Sequence, residues 1–301
     1  MTPNRVFDPS IAVIIPVFNR PDELRRALSS IAEQTVKPHE VVVCDDGSSD
    51  DLVLVINEFL DILLIKYIRI ENTGGPSVPR NVAANNTDCE WLAFLDSDDK
   101  WHKEKIERTK HYLKDNVDVV YHRMSVVGAS NFLGQSVTIG KRMSISSSAA
   151  FDFLSRGNPI PTSASVVRRS LYLTLNGMRR DSEVVEDYDF WIRAALSGSR
   201  FRFINDTLGE YFVTNESLSS SFIRQAALIN NTIMKYEQAF SNRELLKIQS
   251  YRNFSVAVQL IKAKCLSEAL IHLKMARHLS TLRQRLSCYL KYLYIFCLKS
   301  I

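Results

Sequence analysis

The chain has 301 residues, of which 46% are hydrophobic and 24% are charged, and its formal net charge at neutral pH is +5. These values are ordinary for a soluble globular protein, and five cysteines without a C-x-x-C pair argue against a disulfide scaffold or a zinc site and favour a reducing cytoplasm. No signal peptide is visible, and the longest apolar run near the C-terminus, residues 292–298, is far short of the ~20 residues that a membrane span needs.

Strand and helix patterns alternate through the first hundred residues. Strands are predicted at residues 11–17, 40–44, 63–70 and 91–95, with helices between them. This order predicts a parallel, right-handed α/β layer. Because parallel strands end at one edge of a sheet, the residues that follow the four strands should share that edge: Asn19, Asp45 with Asp46, Gly74 with Gly75, and Asp96 with Asp98.

The fourth strand stops abruptly at Asp96, Asp98 and Asp99. Crowded carboxylates repel one another unless a cation or hydrogen-bond donors neutralise them. An Asp-x-Asp followed by Asp suits a hard divalent cation whose shell is completed by phosphate oxygens. The alternative is that Asp98 or Asp99 only caps a helix predicted over residues 101–114.

The Gly74-Gly75 pair permits close approach of a ligand to the backbone, and Arg80 could then reach a phosphate. The alternative is an ordinary turn. The spacing is neither G-x-G-x-x-G nor a P-loop, so the fingerprints of dinucleotide-binding proteins and ATPases do not apply.

The middle of the chain is less regular. Strands are predicted at residues 118–122, 162–167 and 200–213, whereas residues 128–148 show little pattern. A helix begins among four acids, Glu183, Glu186, Asp187 and Asp189. These acids either favour a helix N-terminus through its dipole or include a general base beside the aromatic residues of a cleft.

The end of the chain differs from the rest in composition and charge. The last 92 residues contain neither glycine nor proline, which predicts a helical tail. Residues 243–301 carry eleven Lys or Arg against two Glu, so their net charge is +9 and that of residues 1–242 is −4. We predict domains at residues 1–221 and 222–301. Residues 282–301 are either a packed terminal helix or an interfacial helix on an anionic membrane.

Five short motifs together resemble the family 2 glycosyltransferases of the GT-A fold, which build bacterial surface polysaccharides. They occur in the family's order: IIPVFNR at residues 14–20, VVVCDDGSSDD at 41–51, NTGGPSVPRN at 72–81, LAFLDSDD at 92–99 and VEDYDFWIR at 185–193. The resemblance covers roughly residues 10–220. It implies a Rossmann-like, mostly parallel sheet flanked by helices, followed by the all-helical extension.

The resemblance also implies roles for individual residues. Pro16, Asn19, Asp46 and Asp45 would frame the nucleobase and ribose, with Gly74 and Arg80 near the nucleotide. Asp96 and Asp98 would form the D-x-D element that holds Mn²⁺ or Mg²⁺, and Asp187 would be the general base with Glu186 beside it. Many relatives add a histidine to the metal shell, but residues 211–217 contain none, so water or Asn215 would have to substitute.

The implied activity is the inverting transfer of one sugar from a nucleotide sugar, with UDP expected, to a hydroxyl of a glycan acceptor linked to a polyprenyl diphosphate. The place would be the cytoplasmic face of the inner membrane, in O-antigen, capsule or exopolysaccharide synthesis, with no nucleic-acid partner. The absence of a Q-x-x-R-W motif points to one transfer per encounter. The alternatives are a catalytically inactive relative that binds nucleotide sugar or acts as a scaffold, and a sugar nucleotidyltransferase.

Overall fold

The computed structural model describes residues 8–130, 136–143, 148–181, 183–212 and 220–299. They form two compact units. The first takes its described residues from the stretches 1–142, 159–180 and 197–213, and the second from 143–158, 181–196 and 214–301. The second unit therefore also takes in two segments that precede residue 221, where the sequence predicts the domain boundary.

The first unit is built on a mixed sheet with nine strands in the described chain. They are β1 (Ile11–Val17), β2 (Glu40–Asp45), β3 (Ile65–Arg69), β4 (Trp91–Phe94), β5 (Lys100–Trp101), β6 (Val119–Ser130), β7 (Ser136–Ile139), β8 (Ser165–Arg168) and β9 (Phe201–Phe212). Their order is β3-β2-β1-β4-β8-β6-β9-β5, with β7 beside β6. The first four pair in parallel as predicted, whereas β8 runs antiparallel to both β4 and β6.

The helices of the first unit are α1 (Pro21–Ala32), α2 (Leu52–Asn57), α3 (Ser77–Asn85), α4 (Lys105–Lys110) and α6 (Arg169–Thr174). Those of the second unit are α5 (Ala149–Arg156), α7 (Glu186–Leu196), α8 (Ser220–Met234), α9 (Asn242–Lys262), α10 (Leu266–Met275) and α11 (Leu282–Lys299). All seven residues of β1 are buried, because this central strand is covered on both faces. Leu24, Leu28 and Ile31 of α1 supply part of that cover.

Three local predictions were wrong. The helix predicted over residues 101–114 is only six residues long, since Trp101 belongs to β5 and pairs with Gly209 of β9. This distant partner overrides the local helical pattern. Residues 162–164, predicted as strand, form a single 3₁₀ turn before β8. The short helices α5 and α6 are not predicted at all.

The second unit buries a small apolar cluster between its C-terminal helices. Ala257 of α9, Ala269 and Leu273 of α10, and Ile295 of α11 form this cluster. The helical tail predicted from the absence of glycine and proline is therefore present as α8 to α11. Nowhere in the described chain is a helix both long and apolar enough to cross a membrane.

Candidate functional site

A cleft of about 440 Å³ opens in the first unit where β1, β2 and β4 end. Ligands bind at this edge in open α/β sheets because loops with free backbone groups converge there. Its described lining residues are Pro16, Val17, Phe18, Arg20, Asp46, Asn72, Gly74, Gly75, Pro76, Pro79, Arg80, Asp96, Ser97 and Asp98. Six of the ten residues predicted for the site therefore line one cleft.

Asp46 is held by the loop that precedes α3. Its carboxylate accepts hydrogen bonds from the backbone N–H of Thr73 at 3.0 Å and from the Thr73 hydroxyl at 2.8 Å. The Asn72 side chain donates to the Asp46 carbonyl oxygen at 2.9 Å. These bonds fix a buried carboxylate at the wall of the cleft.

Asn19 and Asp45 are not among the lining residues. Asn19 lies in the left-handed region with φ of 51° and ties two loops together, because its side-chain oxygen accepts from the Ser49 N–H at 2.7 Å. Asp45 is fully buried, and its carboxylate accepts from the Ser48 N–H at 2.8 Å and from the Tyr67 hydroxyl at 2.7 Å. These contacts give both residues a role in shaping the loops, and their contact with a nucleotide stays a prediction.

The acidic loop after β4 faces two arginines. Arg80 of α3, almost fully buried, places its guanidinium 2.5 Å from Asp96. Arg20, the residue before α1, pairs with Asp98. The acidic loop thus places two carboxylates beside two guanidinium groups, which offset the repulsion between those carboxylates.

Asp99 differs from its two neighbours in the acidic loop. It is 1% exposed, and burial together with the nearby charge of Asp96 raises the pKa of its carboxyl to about 8. Its oxygens accept from the Ser163 hydroxyl at 2.5 Å and from the Phe212 N–H at 3.2 Å. Asp99 is therefore part of the loop's support rather than of the cleft wall.

The donor set fits a divalent cation that has few protein ligands. Asp96 and Asp98 present partly exposed carboxylates to the cleft, and guanidinium cations already lie against both. No group of three or more His, Cys, Asp or Glu side chains in the described chain is arranged to hold a metal. Mg²⁺ is commonly bound by one or two carboxylates with substrate phosphates completing the shell, and Asp96 and Asp98 supply that number of carboxylates. Asn215 lies outside the described residues.

The predicted base belongs to the second unit. Glu186 and Asp187 open α7, and both are partly buried. Asp187 accepts hydrogen bonds from the Asn158 side-chain amide at 3.1 Å and from the Tyr188 N–H at 2.6 Å. The neighbouring Asp189 is fully buried against Arg193 at 2.7 Å, so this third acid stabilises the helix.

Sequence reasoning missed several residues of the cleft. Arg20 and Phe18 lie inside the motif at residues 14–20 and could have been found from it. Asn72 also lies within a quoted motif. Ser163 and Arg26, which contact the acidic loop from distant parts of the chain, carry no signal that the sequence alone offers.

Solved structures with the same architecture cover nearly the whole chain. The mannosyltransferase PcManGT from Pyrobaculum calidifontis, in complex with GDP-Man and Mn²⁺, matches with a TM-score of 0.64 at 18% identity, over 98% of this chain and 87% of that one. Residues 1–349 of Staphylococcus aureus TarS, in complex with UDP-GlcNAc, match with a TM-score of 0.58 at 17% identity, over 95% of this chain and 90% of that one. The fold is thus the GT-A fold.

The glycosyl transferase family 2 model matches residues 12–173, more than half of the chain. The chain belongs to this family. Among its relatives, the Escherichia coli enzyme WfgD, a UDP-Glc:α-D-GlcNAc-diphosphoundecaprenol β-1,3-glucosyltransferase, is 28% identical over 71% of this chain and 81% of its own length. Two uncharacterized rickettsial glycosyltransferases, 37% and 36% identical, align over only 19% of their lengths.

Proposed function

We propose that this chain is an inverting glycosyltransferase that moves one sugar from a nucleotide sugar, UDP-linked, to a hydroxyl of a glycan acceptor carried on a polyprenyl diphosphate in surface-polysaccharide synthesis. The observation that carries the proposal is the cleft where Asp46, Gly74, Arg80, Asp96 and Asp98 converge. The activity of WfgD and the UDP-GlcNAc bound to TarS support the choice of donor and acceptor.

The cleft suits a nucleoside diphosphate in shape and charge. Gly74, at φ of 79°, has no atom within 4 Å of the position that a Cβ would take, so phosphate oxygens can approach the backbone there. Arg20 and Arg80 supply positive charge, and the guanidinium fork matches phosphate oxygens. Asp46 and Pro16 line the part of the cleft proposed for the nucleoside.

The chemistry needs one group at each side of the sugar. Asp98, with Asp96, would hold Mn²⁺ or Mg²⁺, which when bound would neutralise the charge that develops on the leaving diphosphate. On the acceptor side, the Asp187 carboxylate takes the proton from the attacking hydroxyl while the new glycosidic bond forms and the bond to the diphosphate breaks. The Asn158 amide and the Tyr188 N–H orient that carboxylate.

The first test measures nucleotide binding. Thermal melts with UDP, GDP and dTDP, each with Mn²⁺ and with EDTA, should show a metal-dependent rise for one nucleotide series. Ligand at a hundredfold excess over its Kd adds about 2.7 kcal/mol, or roughly 5 to 10 °C for a chain of this size. Asp98→Asn should abolish the metal-dependent part, and Asp61→Asn, an exposed acid outside the cleft lining, should not.

A second experiment separates sugar transfer from nucleotide binding. Asp187→Asn should retain nucleotide binding and lose sugar transfer to a polyprenyl-diphosphate-linked glycan, because the general base contributes typically 10²- to 10⁴-fold to the rate. Nucleotide binding without transfer by the wild-type chain would favour the inactive relative. Formation of a nucleotide sugar from a nucleoside triphosphate and a sugar phosphate would favour the nucleotidyltransferase.

We also propose that α11 places the enzyme on an anionic membrane surface. Its exposed apolar side chains recur at helical spacing along one face, and they are Leu282, Leu286, Tyr289, Leu290, Leu293 and Tyr294. The opposite side, with Cys288, Tyr292 and Ile295, packs in the cluster of the second unit. Arg283 and Arg285 of the same helix are exposed, Lys291 is partly exposed, and residues 269–301 contain no acid. A basic helix with an exposed apolar face suits anionic lipid.

Vesicle flotation tests this surface with the full chain. The chain should float with vesicles that contain phosphatidylglycerol and not with phosphatidylcholine alone. The triple variant Leu286→Ser, Tyr289→Ser, Leu290→Ser should lose flotation. A matched control is Leu54→Ser, Ile62→Ser, Leu64→Ser, which alters exposed apolar residues of the first unit. The wild-type chain could instead fail to float and form a concentration-dependent dimer that only the α11 variant abolishes. That result would mean that this face of α11 binds a second copy of the chain.

A further inference from the structure

The acidic loop is fixed by a chain of hydrogen bonds that begins at Asp96 and runs to residues outside the cleft lining. The backbone N–H of Asp96 donates to the Ser163 hydroxyl oxygen at 3.0 Å. That hydroxyl in turn donates to Asp99 Oδ2 at 2.5 Å. The Phe212 N–H donates to the other oxygen, Oδ1, at 3.2 Å. One hydroxyl therefore links the first residue of the D-x-D element to the acid that follows that element.

Both members of this link are inaccessible to a ligand in the cleft. Ser163 is 2% exposed and Asp99 is 1% exposed. Ser163 lies in the 3₁₀ turn of Thr162–Ala164, and the Trp101 indole N–H donates to its carbonyl oxygen at 2.7 Å. The turn that carries the hydroxyl is thus itself fixed against β5.

We propose that Ser163 and Asp99 are positioning residues for the divalent cation that binds together with the donor. They hold the backbone at Asp96, and through it the directions of the Asp96 and Asp98 carboxylates, without contacting either ligand. A serine hydroxyl suits this place because it accepts from the backbone and donates to the carboxylate at once. Groups that orient metal ligands from behind are typically worth 10- to 100-fold in metal affinity. The inference rests on the proposed donor site.

Arg26 supports the same loop from the other side. Its Nη2 donates to the Asp98 carbonyl oxygen at 2.6 Å, and its guanidinium lies 4.1 Å from the centre of the Phe212 ring. Phe212 therefore contacts two of the groups that support the loop, Arg26 and Asp99. The backbone on both sides of Ser97 is held by side chains from outside the loop.

The test compares two buried serines of the same local segment. Ser163→Ala removes the link, whereas Ser165→Ala removes a hydroxyl that donates to the Thr162 carbonyl oxygen at 2.7 Å and is equally buried. Both variants should show similar losses of melting temperature. Calorimetric titration with UDP should show that only Ser163→Ala raises the Kd measured with Mn²⁺, by about 10- to 100-fold, and leaves the Kd in EDTA unchanged. If the thermal melts show metal-dependent binding of GDP and not of UDP, the titration uses GDP.

A second variant tests that the two residues act through one link. Asp99→Asn should also raise the Kd for the nucleotide in Mn²⁺. The Kd of the double variant should not exceed the higher of the two single-variant values, since both changes break one chain of bonds. Equal Kd values for Ser163→Ala and Ser165→Ala in Mn²⁺ would overturn the inference. A wild-type chain that binds no nucleotide would instead count against the donor site itself.

Discussion

At the scale of single residues, Lys105 places an amine inside the protein core. It is fully buried, its Nζ has no hydrogen-bond partner among the residues that the structure describes, and it lies 3.6 Å from the centre of a Trp101 ring. Burial lowers the pKa of this amine well below its usual range. Burial therefore disfavours the charged amine and weakens the attraction between a cation and the indole.

Replacing Lys105 by methionine should stabilise the protein. An unpaired buried polar group costs about 1–3 kcal/mol in mutational data, and methionine has a similar shape. Urea unfolding at neutral pH should therefore show a free energy of unfolding higher by that amount. Lys103→Met, at an exposed lysine nearby, is the control and should change little. A loss of stability in Lys105→Met would mean that the amine is charged and held by Trp101.

His122 gives the stability of the fold a dependence on pH. Its ring is fully buried and pairs through Nδ1 with the Arg123 carbonyl oxygen at 2.8 Å, and burial lowers its pKa to about 3. In the unfolded chain a histidine titrates near pH 6.5. Between these values the unfolded state binds the extra proton, so this contribution to stability is complete above about pH 6.5 and is lost as the pH falls toward 3.

Within that pH window, His122 should change the free energy of unfolding by on the order of 1.4 kcal/mol per pH unit. His122→Gln should remove this dependence, so that the difference in unfolding free energy between wild type and variant shrinks from pH 7 to pH 5. For His111→Gln, at an exposed histidine, the free energy of unfolding plotted against pH should run parallel to that of the wild type. Parallel curves for His122→Gln as well would show that the buried ring does not resist protonation.

At the scale of elements, the turn after β2 has no room for a larger residue at Gly47. Gly47 has φ of 80°, and a Cβ there would lie 2.7 Å from the backbone nitrogen of Asn72. Gly47→Ala should cost about 1–3 kcal/mol through strain and should also weaken nucleotide binding, because the turn would push on the loop that holds Asp46. Unfolding and nucleotide titrations measure the two effects.

Gly198→Ala is the matched control for Gly47→Ala. It has φ of 83° but nothing within 4 Å of the added Cβ, so only the strain of the left-handed conformation remains. Gly198→Ala should therefore lower the free energy of unfolding by only about 1 kcal/mol and leave nucleotide binding unchanged. Equal effects of the two substitutions on binding would mean that the contact with Asn72 does not matter for the cleft.

The same elements explain what the sequence could predict. Strands β1, β2 and β4 are short, largely apolar runs buried in the sheet, with turns and helices between the first four strands, so the order of these strands and the loops at their ends follow from local pattern. The mixed half of the sheet depends on partners far along the chain, as when β8 inserts between β4 and β6. Ser163 was missed for the same reason, since it meets Asp96 across 67 residues.

At the scale of the whole molecule, opposite charges belong to different parts of the chain. The net charge of −4 lies in residues 1–242, which include the cleft, and that of +9 lies in residues 243–301, which include α11. The described residues that line the cleft belong to the first unit, and α11 belongs to the second. The proposed donor binding and the proposed membrane binding therefore depend on separate sets of side chains.

This separation predicts that the two binding events can be removed one at a time. Asp98→Asn should abolish metal-dependent nucleotide binding and keep vesicle flotation, whereas the α11 triple variant should do the reverse. Salt should also separate them, because exposed charges more than about 8 to 10 Å apart are screened at 0.1 to 0.15 M salt and charges within a cleft are screened less. Raising sodium chloride to 0.5 M should thus weaken flotation more than nucleotide binding. A fall in nucleotide affinity in the α11 variant would show that the two units are coupled.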